Sequence, residues 1–339
     1  MEHLNFSINQ TSESDFVNTN GTVGSEQVGT AVFLSLCCLV GLPSNIAVII
    51  TIARQWNKQR FTEKLMLNLA ISDSLVLSLA PFGVSGLLHG WAFGLWSCKI
   101  LMYLIYCAMY AGVLTVTMMA AHRYHIIKSK VPDRSKQERL QKARRQLQLI
   151  GLWIVATVFA LPVLFIQSVQ LKRGSLRCQR TIELTSGKVT VLVLEILFGY
   201  VLPSTMITAS YCCICKSQLQ RDTSTRGVNR LQCSNTASLK NRERKKRTRR
   251  LVISIIAAFF LFWTPVHLIN MFDIATTLTK TSSPAVYAQL KVIRRATGDL
   301  SKTVSIINCC VNPFLYAVAS GIFKKRDITK KGKTASTLL

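Results

Sequence analysis

From Ile100 to Ala121 the chain carries no charged side chain. A run of that length crosses a bilayer as a helix, which needs about 20 apolar residues. Six further blocks share this character: Gly29–Ala53, Leu65–Leu88, Leu147–Ile166, Val189–Ile214, Leu251–Ile269 and Thr303–Ser320. Lipid offers no partner to a backbone N–H or C=O, so each block must satisfy its own as a helix. The fold expected is an all-α membrane protein, a seven-transmembrane helix bundle. A short amphipathic helix follows the seventh block, where Gly321-Ile322-Phe323-Lys324-Lys325-Arg326 suits the surface of a leaflet. The expected division is an outer tail at 1–28, a seven-helix membrane domain at 29–321, and an amphipathic helix with a tail at 322–339.

The formal charge of +27 would suggest nucleic acid in a soluble protein. Here the cations fall between apolar blocks, so nucleic acid is not the expected partner, and membrane lipid is. Alternate connections (54–64, 122–146, 216–250 and 321–339) hold four, nine, twelve and six Lys or Arg, which is 31 of the 42 in the chain. Positive connections stay in the cytoplasm, which sets the N-terminus outside. Residues 1–28 contain no Lys or Arg and three glycosylation sequons, at Asn5, Asn9 and Asn20. No cleavable leader is visible, so the first block is expected to act as its own insertion signal.

Most of the eleven cysteines lie inside apolar blocks, where a small buried hydrophobe is the ordinary reading. Cys98 and Cys178 fall in outer segments, where oxidising conditions allow a disulfide. No metal-type spacing occurs, and no metal is expected. Asp73 is the only acid within the apolar parts of the first four blocks, and an acid at that depth is a functional residue by default. The bland alternative is a protonated Asp73 tied to Asn45. The outer turn Trp91-Ala92-Phe93-Gly94 carries aromatics suited to the membrane interface. Pro265 kinks the sixth block and leaves the Trp263 indole at the bend, and Trp263, His267 and Asn270 share one face.

The marks Asn45, Asp73, Cys98, Arg123-Tyr124, Trp153, Cys178, Pro203, Tyr211, Trp263-Thr264-Pro265 and Asn312-Pro313-Phe314-Leu315-Tyr316 follow one another in order through the helices. On them the chain resembles a rhodopsin-like (class A) G-protein-coupled receptor over roughly residues 28–328. Leu67–Asp73, Tyr110–Thr117, Leu194–Pro203, Arg250–Asn270 and Ser305–Tyr316 look like leukotriene B4 receptors, and chemoattractant-peptide receptors share much of that framework. The resemblance implies a heterotrimeric G protein, of Gi type, and arrestin as partners. It assigns Arg123, Tyr124, Tyr211, Trp263, Pro265, Asn312, Pro313 and Tyr316 to activation and coupling. It also implies that Asp73, Asn308 and Asn312 line a cluster that binds an allosteric sodium ion. Gly112 stands where the family carries a hydroxyl, which leaves that set one ligand short. His122 replaces the acid beside Arg123, and Lys245 stands where the sixth helix would offer another. The restraint on Arg123 in the resting state is therefore expected to be weak.

Amine receptors of this class carry an aspartate eighteen residues before the arginine, and that position here is Ile105. The outer mouth instead offers Arg177, Arg180, Lys291, Arg294, Arg295 and Lys302, a field suited to an anion. Leu101, Met102, Ile105, Tyr106 and Val266 supply apolar wall, and Tyr110, Glu195, His267 and Asn270 supply hydrogen bonds. The expected ligand is a hydroxylated fatty acid, with Met102, Tyr106, Tyr110, Glu195, His267, Asn270, Arg294, Arg295 and Lys302 as its site. Leukotriene receptors similar to this chain carry an arginine where Gln167 stands, so the carboxylate anchor is expected to have moved. A peptide ligand is the alternative, and a transporter a more distant one. A carrier would want paired mid-membrane acids or inverted repeats. A hydrolase would want Gly-x-Ser-x-Gly, His-Glu-x-x-His or paired aspartates. Neither pattern occurs, so no catalytic residue is expected.

Overall fold

The computed structural model describes residues 25–54, 61–128, 137–172, 174–181, 185–225 and 236–320. The order is α1 (Ser25–Ala53), α2 (Phe61–Leu88), α3 (Gly94–Lys128), α4 (Gln137–Ile166), β1 (Gln167–Lys172) and β2 (Ser175–Arg180). Then come α5 (Thr185–Ile196), a π-helical turn (Leu197–Val201), α6 (Leu202–Thr225), α7 (Thr236–Ser282) and α8 (Pro284–Ser320). Six helical segments are long and apolar enough to cross a membrane, the fifth running Thr185–Ile214 through α5, the π turn and α6. The seventh span is α8, whose apolar stretch is shorter, Ile306–Leu315. The sequons and the amphipathic segment after residue 320 lie outside the described residues.

Large apolar side chains such as Leu39, Ile154, Phe165 and Leu261 point outward, as lipid-facing surfaces should. Inward, Leu65, Leu69, Val113, Met119, Ile207, Phe259 and Trp263 form one continuous core among α2, α3, α6 and α7. Without a hydrophobic drive between helices, buried polar groups fix the register. Asn68 Nδ2 donates to Thr115 Oγ1 at 2.7 Å, and the Trp153 indole donates to Asn68 Oδ1 at 2.9 Å. One asparagine thereby joins α2, α3 and α4. Asn45, fully buried on α1, donates through Nδ2 to Gly41 O and to Cys309 O of α8, both at 2.9 Å.

Three features depart from the sequence expectations. The outer segment after α4 is a two-stranded antiparallel hairpin, with Gln167 opposite Arg180 and Val169 opposite Cys178. Its tight turn uses Gly174 at φ 74°, a conformation open to glycine and costly to other residues. Second, α7 and α8 run well past their apolar blocks. The basic run 241–250 is helix continuous with the sixth span, as its place beside that span implies; the departure is at the outer end, where only Ser283 separates α7 from α8. Hydropathy marks the lipid-embedded part of a helix and says nothing of where its backbone hydrogen bonding stops. Third, Trp91 is buried rather than interfacial, its indole donating to Gly94 O at 2.8 Å while Phe93 stays exposed.

Candidate functional site

Two layers build the outer half of the bundle. The upper one is polar. Arg180, the last residue of β2, donates from Nη1 to Glu195 Oε2 at 3.1 Å, and its Nη2 lies 2.7 Å from Glu195 Oε1. Nη2 also donates to the Tyr106 hydroxyl, and the guanidinium carbon sits 5.2 Å over the Tyr106 ring. Asn270 Nδ2 reaches the same Glu195 Oε2 at 3.4 Å. The Glu195 carboxylate thus gathers groups from β2 and α7, and Arg180 extends the network to α3.

The lower layer is aromatic. Tyr110 packs edge-on to Phe159 at 5.8 Å, and Phe159 stacks on Phe198 at 4.5 Å. His267 stacks with Tyr200 (5.0 Å) and with Trp263 (5.9 Å). The Tyr200 hydroxyl shares a hydrogen bond with Thr264 Oγ1 at 2.8 Å. The π turn brings this about, since it adds a residue that rotates Tyr200 onto α7; such turns concentrate at functional sites. His267 is buried, and neither of its ring nitrogens has a hydrogen-bond partner among the described residues. A buried imidazole without a partner carries a desolvation cost of about 1–3 kcal/mol, which a ligand hydroxyl would relieve.

Cys98 and Cys178 are bonded, which fastens β2 to the outer end of α3. Arg177 belongs to this roof rather than to the pocket. Its Nη1 donates to Gly86 O (3.1 Å) and Leu87 O (3.0 Å) at the end of α2, its Nε to Ser175 Oγ (3.0 Å), and its Nη2 to Gln27 Oε1 (3.4 Å).

Deeper in, Asp73 is buried and accepts from Asn312 Nδ2 at 2.8 Å. The thiol of Cys309 is its second partner. Asp73 is thus tied to α8 and not to Asn45. Asn308 is half-buried on the same helix, and the contacts to Asp73 come from its neighbours Cys309 and Asn312. This set does not fit a sodium ion, which wants several oxygen ligands. Asn312 turns its amide nitrogen to the carboxylate, Cys309 offers sulfur, and Gly112 offers no side chain.

The family model described as 7 transmembrane receptor (rhodopsin family) matches residues 44–316. The chain belongs to the rhodopsin family of seven-transmembrane receptors. It is similar to leukotriene B4 receptor 1 of Rattus norvegicus, 33% identical over 90% of this chain and 82% of that one. The human leukotriene B4 receptor 1 is 31% identical over 86% of this chain and 76% of its own. Human C-C chemokine receptor type 7 is 25% identical over 91% of this chain and 75% of its own.

In this receptor Tyr106, Glu195 and Asn270 meet in one network, and Tyr110 and His267 lie in the layer beneath. Met102 is half-buried on α3. The side chains of Arg294, Arg295 and Lys302, and that of Tyr316, lie outside the described residues. Toward the inner face, Arg123 and Tyr124 are half-buried near the end of α3, Tyr211 is exposed on α6, and Trp263 and Pro313 are buried. His122 packs edge-on to Phe61 at 4.8 Å, and the Arg145 guanidinium lies 5.7 Å from the same ring. Sequence reasoning passed over Cys309, which looked like a plain buried hydrophobe, and left Arg180 as one cation of the outer mouth among several.

Proposed function

We propose that this receptor binds an anionic lipid mediator of the leukotriene B4 kind and activates a heterotrimeric G protein of Gi type, with arrestin as a further partner. In this reading it sits in the plasma membrane with its N-terminus outside, and serves chemotaxis or inflammation. The observation that carries the ligand class is the layering of the outer pocket. A cation-bearing polar layer covers an aromatic layer in which His267 keeps two unpartnered nitrogens. A hydroxylated fatty acid uses both: the carboxylate meets cations, a hydroxyl meets His267 or Asn270, and the chain lies on the aromatic wall. Arg294, Arg295 and Lys302 add positive charge at the mouth, which draws in an anion before it binds. Ile105 leaves a cationic amine without an anchor.

The test is nucleotide exchange on a Gi-type G protein in membranes carrying the receptor. Leukotriene B4 should raise the rate. The similarity to a chemokine receptor supports a second reading, a peptide ligand. Exchange that answers chemokines and ignores leukotriene B4 would establish it. Ligand-dependent flux of solute across vesicles, without exchange, would move the chain to the carriers.

A further inference from the structure

We propose that Arg180 is the seat of the ligand's carboxylate, and that Glu195 occupies this seat until the ligand displaces it. The proposal rests on the anionic-lipid reading above and names the residue that reads the acid. Arg180 is held in place from both sides. Its strand partner is Gln167, and two residues earlier Cys178 is bonded to Cys98. A short, disulfide-pinned strand therefore delivers the guanidinium to one fixed point above α3 and α5. Arg177 spends its donors on α1, α2 and its own strand, and Lys291 is exposed beside the Tyr287 ring. Arg180 is the cation that reaches Glu195 and Tyr106 in the polar layer.

The ion pair there is incomplete as a fork. A guanidinium and a carboxylate fit best through two parallel N–H···O bonds. Glu195 Oε2 receives such a bond from Nη1, but Oε1, although 2.7 Å from Nη2, receives none in line. Nη2 directs one of its two N–H groups to Tyr106. Glu195 thus fills the seat without matching it, and a carboxylate free to approach from the mouth can take both bonds. Exposure orders the exchange: 29% of the Arg180 side chain is open against 12% of Glu195, so an incoming anion meets the cation first. The swap conserves the charge around Arg180, and Glu195 retains Asn270 as a donor.

The experiment compares leukotriene B4 with its methyl ester on intact receptor and reads the ratio of their affinities. Contributions from hydroxyls and chain cancel in that ratio, which leaves the carboxylate. Wild type should prefer the acid by about tenfold or more, the range of a charge-assisted bond. Arg180→Gln should bring the ratio close to one. Glu195→Gln removes the internal competitor while keeping its shape, and should raise the ratio about fivefold, the scale of a partly exposed pair. The double variant loses both charges together, a change that buried pairs tolerate, so it reports on folding while keeping the ratio near one. An acid preference that survives Arg180→Gln, or that falls in Glu195→Gln, overturns the proposal and leaves the anionic-lipid reading standing with its anchor elsewhere. Equal binding of acid and ester to wild type overturns both.

Discussion

A Cβ placed on Gly199 would stand 3.1 Å from Cε1 of His267 and 3.6 Å from Cε1 of Tyr110. The glycine in the π turn thereby sets how close the fifth span comes to the imidazole. His267 has little room to give, because it is buried and stacked with both Tyr200 and Trp263. Gly199→Ala gains helix propensity of about 0.8–1.0 kcal/mol. Overpacking costs about 1–3 kcal/mol, so the clash wins. The variant should melt lower in detergent. Its loss should shrink when His267→Ala is added, because the two changes share one contact. Additive losses in the double variant would show that the contact is slack.

Asn68 is a junction, and its removal has a calculable cost. Asn68→Ala leaves the Trp153 indole N–H, which now donates to Oδ1 at 2.9 Å, without its acceptor. A buried donor left unpaired costs about 1–3 kcal/mol. Trp153→Phe removes the same bond from the other side. The two single variants should each lower the melting temperature, and the double should lower it by clearly less than their sum. Thr115→Val should destabilise in the same way, because it leaves the buried Asn68 Nδ2 without the hydroxyl that accepts from it.

The spans were legible because lipid imposes one rule on every segment, and the blocks from Gly29–Ala53 onward obey it. That Asp73 and Asn312 lie together was implied by the family resemblance alone; depth by itself pointed to Asn45 as the partner of Asp73, because a buried acid does not say which polar neighbour it meets. The upper polar layer was not legible. Nothing in the order of residues tells whether Arg180 meets Glu195, Glu183 or water; that depends on the hairpin register and on the disulfide that orients it. The same holds for Arg177, three residues earlier, whose guanidinium turns to the end of α2. The π turn left no trace in hydropathy either, since one added residue does not alter an apolar run. Periodicity reports which medium surrounds a helix. It does not report the rotation on which Gly199, Tyr200 and His267 depend.

At the inner face His122 makes a ring contact with Phe61 and does not supply an acid to its neighbour Arg123. His122→Asp puts a carboxylate beside Arg123 and near Arg145, which strengthens the closed arrangement. A partly exposed pair is worth about 0–1 kcal/mol, so ligand-free nucleotide exchange should fall by up to about fivefold at matched surface expression. His122→Asn loses the same ring contact without adding charge and should leave the basal rate at or above wild type. A wild-type rate equal to that of receptor-free membranes, unchanged in both variants, ends the argument.

Arg177 and Arg180 stand on one strand and separate roof from pocket. Arg177→Gln removes the guanidinium from the last carbonyls of α2, where a cation also meets the negative end of the helix dipole. A charge-assisted bond is worth about 1.5–3 kcal/mol, and the cost falls on the hairpin and its docking. The disulfide limits the damage, because Cys178 still holds β2 to α3. Arg177→Gln should therefore fold, with a lower melting temperature and faster amide exchange through Gln167–Arg180. Its acid-to-ester ratio for leukotriene B4 should match wild type, since no group of Arg177 enters the polar layer. Combined with Cys178→Ser, which frees the strand, Arg177→Gln should lose surface expression far beyond either single change. If Arg177→Gln alone abolishes the acid preference while its hairpin still exchanges slowly, then Arg177 holds the carboxylate, and the division of the strand into roof and pocket is wrong.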